Sequence, residues 1–189
     1  MLLGFTFAGE PFTTKDLGVT GAITALMKDA ILPNLVQTLE HTPAIIHGGP
    51  FANIAHGCNS IMATKTAMQY SDYVITEAGF ASDLGAEKFF NIKCRKAGLR
   101  PAMSVLVATL QALKLSGGIE ESKMKLPNTE ALKEGLRNLQ KHISILKSFG
   151  QKVLVVINRH GIDDKKEIDF IRSWCAEKDA SFAVNDAFS

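Results

Sequence analysis

The sequence predicts an α/β fold, in which a mainly parallel sheet has helices on both faces and forms three layers. Short apolar runs alternate with helical patterns along almost the whole chain, which is typical of βαβ units. The chain has 189 residues, of which 46% are hydrophobic and 21% charged, so it can bury a core without disulfides. The clearest strand candidate is apolar on both faces, as expected for a strand covered by helices on each side. We therefore expect residues 1–189 to form a single α/β domain.

The first half of the chain carries short patterns. Its predicted elements are a helix over 19–32, a strand over 44–47, a helix over 59–70, a strand over 73–76 and a helix over 84–96. Pro33 is the predicted end of the first helix, because proline cannot continue a helix. Asp83 is the predicted N-cap of the last one. The apolar residues 1–7 are consistent with a further strand.

The second half begins with a predicted strand over 103–108 and a polar surface loop over 117–127. A helix over 130–149 follows, with Thr129 as its predicted cap and Gly150 at its end. One apolar stripe runs along this helix at three- and four-residue intervals. The stripe consists of Leu132, Leu136, Leu139, Ile143 and Leu146.

The last part of the chain is predicted to form strand, helix and strand. Residues 152–158 are β-branched and apolar, which favours a buried strand. Asp164 is the predicted cap of the next helix, and Glu167 is expected to complete a capping box. This helix should bury Ile168, Ile171 and Trp174. A short strand is predicted over 181–184.

Composition excludes several classes of function. Lys and Arg number 21 and Asp and Glu number 19, giving a net charge of +2, which is too small for a nucleic-acid partner chosen by bulk electrostatics. The cysteines are odd in number and widely spaced: Cys58, Cys94 and Cys175. This pattern predicts reduced thiols and a cytoplasmic protein. No apolar run approaches the roughly 18 residues of a membrane span, so no membrane partner is expected.

The most informative loop is His47–Gly57, which follows the strand over 44–47. In parallel sheets, ligands lie beyond the carboxyl ends of the strands. Gly48 and Gly49 let backbone N–H groups converge, so the loop is a candidate cradle for phosphate or carboxylate, with Asn53 and His56 as polar candidates. An ordinary loop with glycines at its turns is the structural alternative. The loop is not a Walker A motif, because the chain contains no Gly-Lys dipeptide.

Acidic residues follow the predicted strand over 73–76. Glu77 stands where a carboxylate can hold a water or a magnesium ion near phosphates, although a solvated side chain explains it equally well. No other metal ligand is predicted. Asp83 is a second polar candidate, and its role as a helix cap competes with a role in chemistry.

Two further groups are weaker. The stretch from Lys93 to Arg100 contains four basic residues in eight, Lys93, Arg95, Lys96 and Arg100, which is enough to meet a phosphate or a polycarboxylate. Cations near the C-terminus of a helix also stabilise it unaided, and this is the structural alternative. Cys94 and Cys58 are expected to be packing residues. Asn158 closes the strand over 152–158, and its amide can bind the edge of a heterocycle; turn formation is the alternative explanation.

Taken together, these loops resemble one family, the formate–tetrahydrofolate ligases, also called 10-formyltetrahydrofolate synthetases. The shared motifs lie at residues 16–22, 28–30, 33–40, 47–57, 76–80, 87–95 and 107–109. The resemblance implies a partial P-loop NTPase-like or Rossmann-like architecture. It also implies an ATP-dependent ligase of one-carbon metabolism that forms 10-formyltetrahydrofolate through formyl phosphate. The implied ligands are ATP, magnesium and the substrates formate and tetrahydrofolate.

The resemblance assigns roles to individual residues. His56, Glu77 and Asp83 are the implied catalytic residues. Gly48, Gly49, Asn53 and Asn158 are implied to bind formyl phosphate or nucleotide. Phe80, His160, Gly161 and Phe188 are implied to bind folate, with His160 and Gly161 standing where the family has an aromatic residue and a proline.

The family's P-loop, with its lysine, belongs upstream of the matched region, so the chain is expected to be a fragment of a longer ligase. The resemblance further implies either a homo-oligomer or association with that P-loop segment. A truncated, non-catalytic relative that acts as a binding or assembly module is the alternative.

Overall fold

The structure, a computed structural model that describes residues 1–49, 56 and 58–187, divides into two compact units. Unit 1 comprises residues 1–50 and 59–77, and unit 2 comprises residues 51–58 and 78–189. Helices surround a three-stranded parallel sheet in unit 2, so the predicted α/β class is confirmed. Within the described residues, no helix combines the length and the apolar character needed to cross a membrane.

Unit 1 contains two antiparallel strand pairs and two helices. Its elements are β1 (Leu2–Phe5), β2 (Pro11–Thr13), α1 (Thr20–Met27), β3 (Asn34–Gln37), β4 (Pro43–Ile46) and α2 (Ile61–Tyr70). β1 pairs with β2, and β3 pairs with β4. The predicted strand over 44–47 is thus confirmed as β4, although its partner is an antiparallel neighbour. The predicted helix over 19–32 is too long: α1 buries no residue, so little packing favours its extension beyond Met27.

The predicted strand over 73–76 is wrong. Tyr73 is 90% and Ile75 is 95% exposed, and none of the described strands pairs with this segment. A strand must exchange backbone hydrogen bonds with a neighbour. An apolar run in the sequence does not supply that neighbour.

The first helix described in unit 2 runs continuously over residues 81–97. It is π-helical over Ala81–Ala86 and Phe89–Cys94 and ends in α3 (Arg95–Ala97). The predicted start at residue 84 with Asp83 as cap is wrong, since the N-cap is Phe80 and Asp83 lies inside the first turn. Gly98, at a φ of 71°, follows the last turn, as is common at helix ends.

The sheet of unit 2 consists of β5 (Ser104–Ala108), β6 (Val153–Asn158) and β7 (Ser181–Asn185), parallel and in that order. Leu106 lies opposite Val155, and Val155 lies opposite Phe182. Because alternate side chains point to opposite faces, these three share one face with Ile157. That face carries the core.

The other helices of unit 2 are α4 (Leu110–Ser116), α5 (Thr129–Ser148) and α6 (Lys165–Glu177), with a short 3-10 turn at Glu121–Lys123. The predicted stripe of α5 is buried at all five positions. It packs in one core with Val155 and Ile157 of β6 and with Ile168 and Ile171 of α6. Trp174 is half-buried at the rim of this core.

The helix caps differ in part from prediction. Asn128, not Thr129, caps α5, and its side chain accepts a hydrogen bond from Ala131 N at 2.9 Å. Asp164 caps α6 as predicted, accepting from Lys166 N at 2.9 Å. Glu167 does not complete a capping box. Its carboxylate is buried and bonds instead to Lys114, because a buried ammonium needs an anionic partner.

Candidate functional site

The candidate anion loop begins directly after β4 in unit 1. Gly48 and Gly49 are exposed, and Gly48 has a φ of 68°, which residues with a Cβ rarely adopt. This conformation gives a physical reason for glycine at position 48. Asn53, the next candidate of the loop, lies outside the described residues.

His47 holds the start of this loop to the rest of unit 1. Its Nδ1 lies 2.6 Å from Ser60 Oγ, and its Nε2 lies 3.1 Å from the carbonyl oxygen of Ala30. Ser60 also caps α2 by accepting from Ala63 N at 3.0 Å. If Ser60 donates its hydroxyl proton to Nδ1, then Nε2–H donates to Ala30, and a neutral imidazole satisfies every contact. His47 is therefore a hydrogen-bonded loop histidine.

Glu77 ends unit 1 with an exposed side chain. The neighbouring Thr76 hydroxyl donates to the backbone carbonyl oxygen of Glu77 at 3.4 Å. Among the described residues, no cluster of three or more His, Cys, Asp or Glu side chains could hold a metal ion. Glu77 therefore offers one carboxylate, a donor set that suits magnesium when phosphate oxygens and waters supply the other ligands.

The turn before the 81–97 helix has unusual backbone geometry. Phe80 and Ala81 both have left-handed φ values, 64° and 62°. Such a conformation costs non-glycine residues about 1–3 kcal/mol each and is concentrated at functional sites. Phe80 is 66% exposed. A Cβ at Gly85 would overlap the carbonyl oxygen of Gly79, so the backbone of this turn packs directly on the helix.

Asp83 lies in the first turn of the same helix and is exposed. A negative charge in this turn is favourable, because it lies near the positive end of the helix dipole. The neighbouring Ser82 is 3% exposed, and its Oγ lies 2.7 Å from Nδ1 of His142 on α5. Ser82 thus attaches the 81–97 helix to α5, whereas Asp83 is accessible to solvent.

His56 meets two residues that the sequence analysis did not group with it. Its Nδ1 lies 3.5 Å from the sulfur of Cys58. The Cys58 side chain is also hydrogen-bonded to Lys93. Lys93 is only 1% exposed and lies over the ring of Phe89, 5.6 Å from its centroid. The sequence analysis treated Lys93 only as one of several basic residues near a helix C-terminus, and no local signal distinguishes it from its exposed neighbour Lys96.

Burial and mutual charge shift the proton affinities of this group. The pKa of His56 is lowered, first by burial and then by the charge of Lys93. Burial also lowers the pKa of Lys93 and raises the pKa values of Cys58 and Cys94. A neutral imidazole can accept a proton, and a neutral thiol is a poor nucleophile. Within this group, the imidazole of His56 is the side chain that can accept a proton. Cys58 and Cys94 are buried and pack in one cluster with Phe89, as expected for packing residues.

Asn158 lies at the carboxyl end of β6, where a ligand of a parallel sheet is expected. Its side-chain oxygen accepts a hydrogen bond from Nδ2 of Asn185 at 2.7 Å. Asn185 is the last residue of β7 and lies opposite Asn158. Next to this amide pair, Arg159 pairs with Asp186 at 3.3 Å. The sequence analysis missed Asn185, whose position one residue after the predicted strand over 181–184 was the available signal.

The loop after β6 contains two of the implied folate residues. His160 is half-buried, and its backbone N–H donates to the carboxylate of Asp163 at 2.8 Å. Gly161 is exposed, with open space around the position of a Cβ. The loop therefore brings His160 and Gly161 to the same edge as Asn158. Phe188 lies outside the described residues.

The whole chain, residues 1–189, matches the family model described as formate–tetrahydrofolate ligase. It is 62% identical over 189 residues to the formate–tetrahydrofolate ligases of Phocaeicola vulgatus and of Bacteroides thetaiotaomicron. It is 60% identical to that of Porphyromonas gingivalis. Each alignment covers 100% of this chain and 34% of the relative. The chain thus spans about a third of the length of the curated relatives it matches.

Proposed function

We propose that this chain, which belongs to the formate–tetrahydrofolate ligase family, is part of an ATP-dependent ligase of one-carbon metabolism. The observation that carries this proposal is 62% identity over all 189 residues to ligases of that name. The product is 10-formyltetrahydrofolate, and the substrates are formate, tetrahydrofolate and ATP. With three reduced and buried cysteines, the chain suits the cytoplasm.

The proposed reaction has two steps. Formate attacks the terminal phosphate of ATP, which gives formyl phosphate and ADP. N10 of tetrahydrofolate then attacks the formyl carbon, the bond to the phosphate oxygen breaks, and N10 loses its proton. Phosphorylation is needed because formate is a poor acyl donor until its oxygen becomes part of a good leaving group.

The loop after β4 is proposed to bind the phosphoryl end of formyl phosphate or nucleotide. Backbone N–H groups at Gly48, Gly49 and Asn53 would donate to its oxygens, and such fixed donors stabilise charge that develops in the transition state. The left-handed φ of 68° at Gly48 supports this role, since it lets the backbone turn without a side chain in the way.

His56 is proposed to accept the proton from N10. Its lowered pKa supports this, because the imidazole is then neutral at pH 7 and has a free electron pair. Asp83 and Glu77 are proposed as further catalytic residues, both with exposed carboxylates. Magnesium, when bound with ATP, would neutralise phosphate charge, and Glu77 is the residue proposed to hold it.

The folate site is proposed to lie at the carboxyl edge of the parallel sheet. Phe80 would supply one wall, since its side chain is 66% exposed and an exposed aromatic ring can stack on a pterin. His160 and Gly161 would form a second wall, and Phe188 is proposed to stack as well. Asn158 offers an amide that can bind the edge of the heterocycle or the nucleotide.

A second candidate function is that of a non-catalytic binding or assembly module. The outer face of β5 favours it, because Val105 is 53% and Val107 is 57% exposed. No other described strand pairs with the outer edge of β5, and an unpaired apolar strand promotes association. The same surface would suit a homo-oligomer or a P-loop segment of the ligase.

Formation of 10-formyltetrahydrofolate from formate, ATP and tetrahydrofolate tests the ligase proposal. The assay uses the 189-residue chain alone and then with a separately expressed segment of the Phocaeicola vulgatus relative, taken from the part that precedes the aligned region and is expected to carry the P-loop. Activity that requires both pieces is the expected result. Association of the pieces without activity, together with no thermal stabilisation by tetrahydrofolate or ADP, would favour the non-catalytic module.

A further inference from the structure

Lys93 occupies a position that is costly for a lysine. It is 1% exposed on the 81–97 helix, whereas Arg95 and Lys96, in the next turn, are exposed. Burying an amine costs free energy unless the group is hydrogen-bonded and its charge is compensated. Helix stability alone does not require this, because the exposed cations already interact with the C-terminus of the helix.

The contacts of Lys93 lead towards His56. The amine lies over the face of Phe89 at 5.6 Å, an attractive geometry for a cation. A side-chain hydrogen bond to Cys58 contributes to the pKa of the Lys93 amine. The Cys58 sulfur lies 3.5 Å from Nδ1 of His56 and, as a donor, 3.5 Å from the carbonyl oxygen of the same residue. Cys58 is itself 6% exposed. The side chains of Lys93, Cys58 and His56 therefore form a row that runs from the 81–97 helix to the imidazole.

We propose that Lys93 is a positioning residue for His56 and acts through the Cys58 thiol. Lys93 holds the sulfur, and the sulfur holds Nδ1, so the imidazole keeps one orientation and one tautomer. The proposal rests on the proposed function only in giving His56 a catalytic role. The arrangement of the three residues is independent of that role.

The charge of Lys93 supports the same conclusion. The titratable groups that face this row are Lys93, Cys58 and Cys94. Burial and the charge of Lys93 both lower the pKa of His56, and burial raises the pKa of Cys58. The thiol therefore stays protonated and neutral near pH 7. His56 is kept neutral beside it, as a proton acceptor must be.

The first test is a pH titration of His56 by NMR in the 189-residue chain, with His56→Gln used to assign its signals. In Lys93→Met the pKa of His56 should rise, because the neighbouring charge is gone. In Lys93→Arg it should stay low. The matched control, Lys96→Met, removes an exposed lysine about one turn away and should leave the pKa of His56 unchanged. An unchanged pKa of His56 in a folded Lys93→Met would overturn the proposal.

The second test does not depend on the folding of Lys93→Met. Cys58→Ala removes the atom that joins Lys93 to His56, and Cys58→Ser replaces it with another hydrogen-bonding atom. Imidazole ¹⁵N shifts should show a mixture of tautomers in Cys58→Ala and a return to one tautomer in Cys58→Ser. Identical shifts in both variants and the unmodified chain would show that Cys58 does not position His56.

An activity measurement in the complemented ligase separates this proposal from the proposed function. If the positioning role of Lys93 and the proposed ligase function both hold, Lys93→Met shifts the acidic limb of the plot of kcat against pH. Lys96→Met leaves that limb where it is. If the NMR shifts appear while neither the unmodified chain nor any variant yields product, the positioning role of Lys93 stands and the proposed ligase function fails.

Discussion

Lys114 Nζ and Glu167 Oε2 lie 3.1 Å apart, and each side chain is only 3% exposed. Lys114 also donates to the carbonyl oxygen of Leu126 at 2.8 Å. The second carboxylate oxygen of Glu167 accepts from Asn128 N, the cap residue of α5, at 2.7 Å. One buried pair therefore holds α4, the start of α5 and α6 together.

We predict that Lys114→Met or Glu167→Leu destabilises the chain by roughly 3–5 kcal/mol, since each leaves a buried charge without its partner. Urea unfolding measures this. The double variant should cost less than the sum of the two, because the charges disappear together. Lys123→Met is the control, as its pair with Glu120 is 60% and 70% exposed and should contribute at most about 1 kcal/mol. Equal effects of Lys114→Met and Lys123→Met would contradict the prediction.

We predict that burial of Cys175 makes the folded chain less stable at alkaline pH. Its thiol is fully buried, and burial raises its pKa from 9.0 to about 11. Above pH 9 the unfolded chain loses this proton while the folded chain keeps it. The free energy of unfolding therefore falls as pH rises through the window from 9 to 11, by roughly 2–3 kcal/mol in total.

Unfolding at a series of pH values, with Cys175→Ser as comparison, measures this effect. The serine variant starts from a lower stability, but its decline between pH 9 and 11 should be shallower because a hydroxyl does not titrate there. Parallel pH curves for the two proteins would refute the assignment to Cys175.

Replacement of Gly135 by alanine is predicted to destabilise the chain. In a free helix this change stabilises by about 1 kcal/mol. Here the new Cβ would overlap the carbonyl oxygen of Leu113 on α4, so we expect a loss of about 1–3 kcal/mol instead. Gly161→Ala is the control, because space around Gly161 is open. Thermal unfolding measures the stability of both variants. Stabilisation by Gly135→Ala would contradict the close contact of the α4 and α5 backbones.

Asn185→Ala tests the proposed ligand edge of the sheet. The substitution leaves the side-chain oxygen of Asn158 without the 2.7 Å hydrogen bond that orients it. We expect tetrahydrofolate or ADP to bind about 3- to 10-fold more weakly, as for the loss of one hydrogen bond. Calorimetric titration measures this, with the exposed Asn138→Ala as control. Unchanged affinity for both ligands would show that Asn158 and Asn185 are not part of the binding site.

Local patterns account for most of the second half of the fold. β6 was predictable because Val153 to Ile157 are apolar on both faces, and α5 because its apolar stripe has the helical period. Asp164 was predictable as a cap because a short carboxylate reaches the backbone N–H two residues on. Each of these signals acts between residues close in the chain. Family membership was also predictable, since the matched motifs cover nearly the whole length.

Contacts between distant residues account for the differences. Glu167 has the spacing of a capping box, yet a lysine 53 residues away takes its carboxylate. Lys93 and Lys96 look alike in the sequence, and only packing against Phe89 and Cys58 buries the first. Asn158 acquires Asn185 through strand pairing. The sequence by itself determined α5, α6, the strand β6 and the family, because local propensity and apolar periodicity are properties of neighbouring residues. Burial of polar groups and their partners was decided by tertiary contacts, because desolvation depends on atoms that the chain brings together only when it folds.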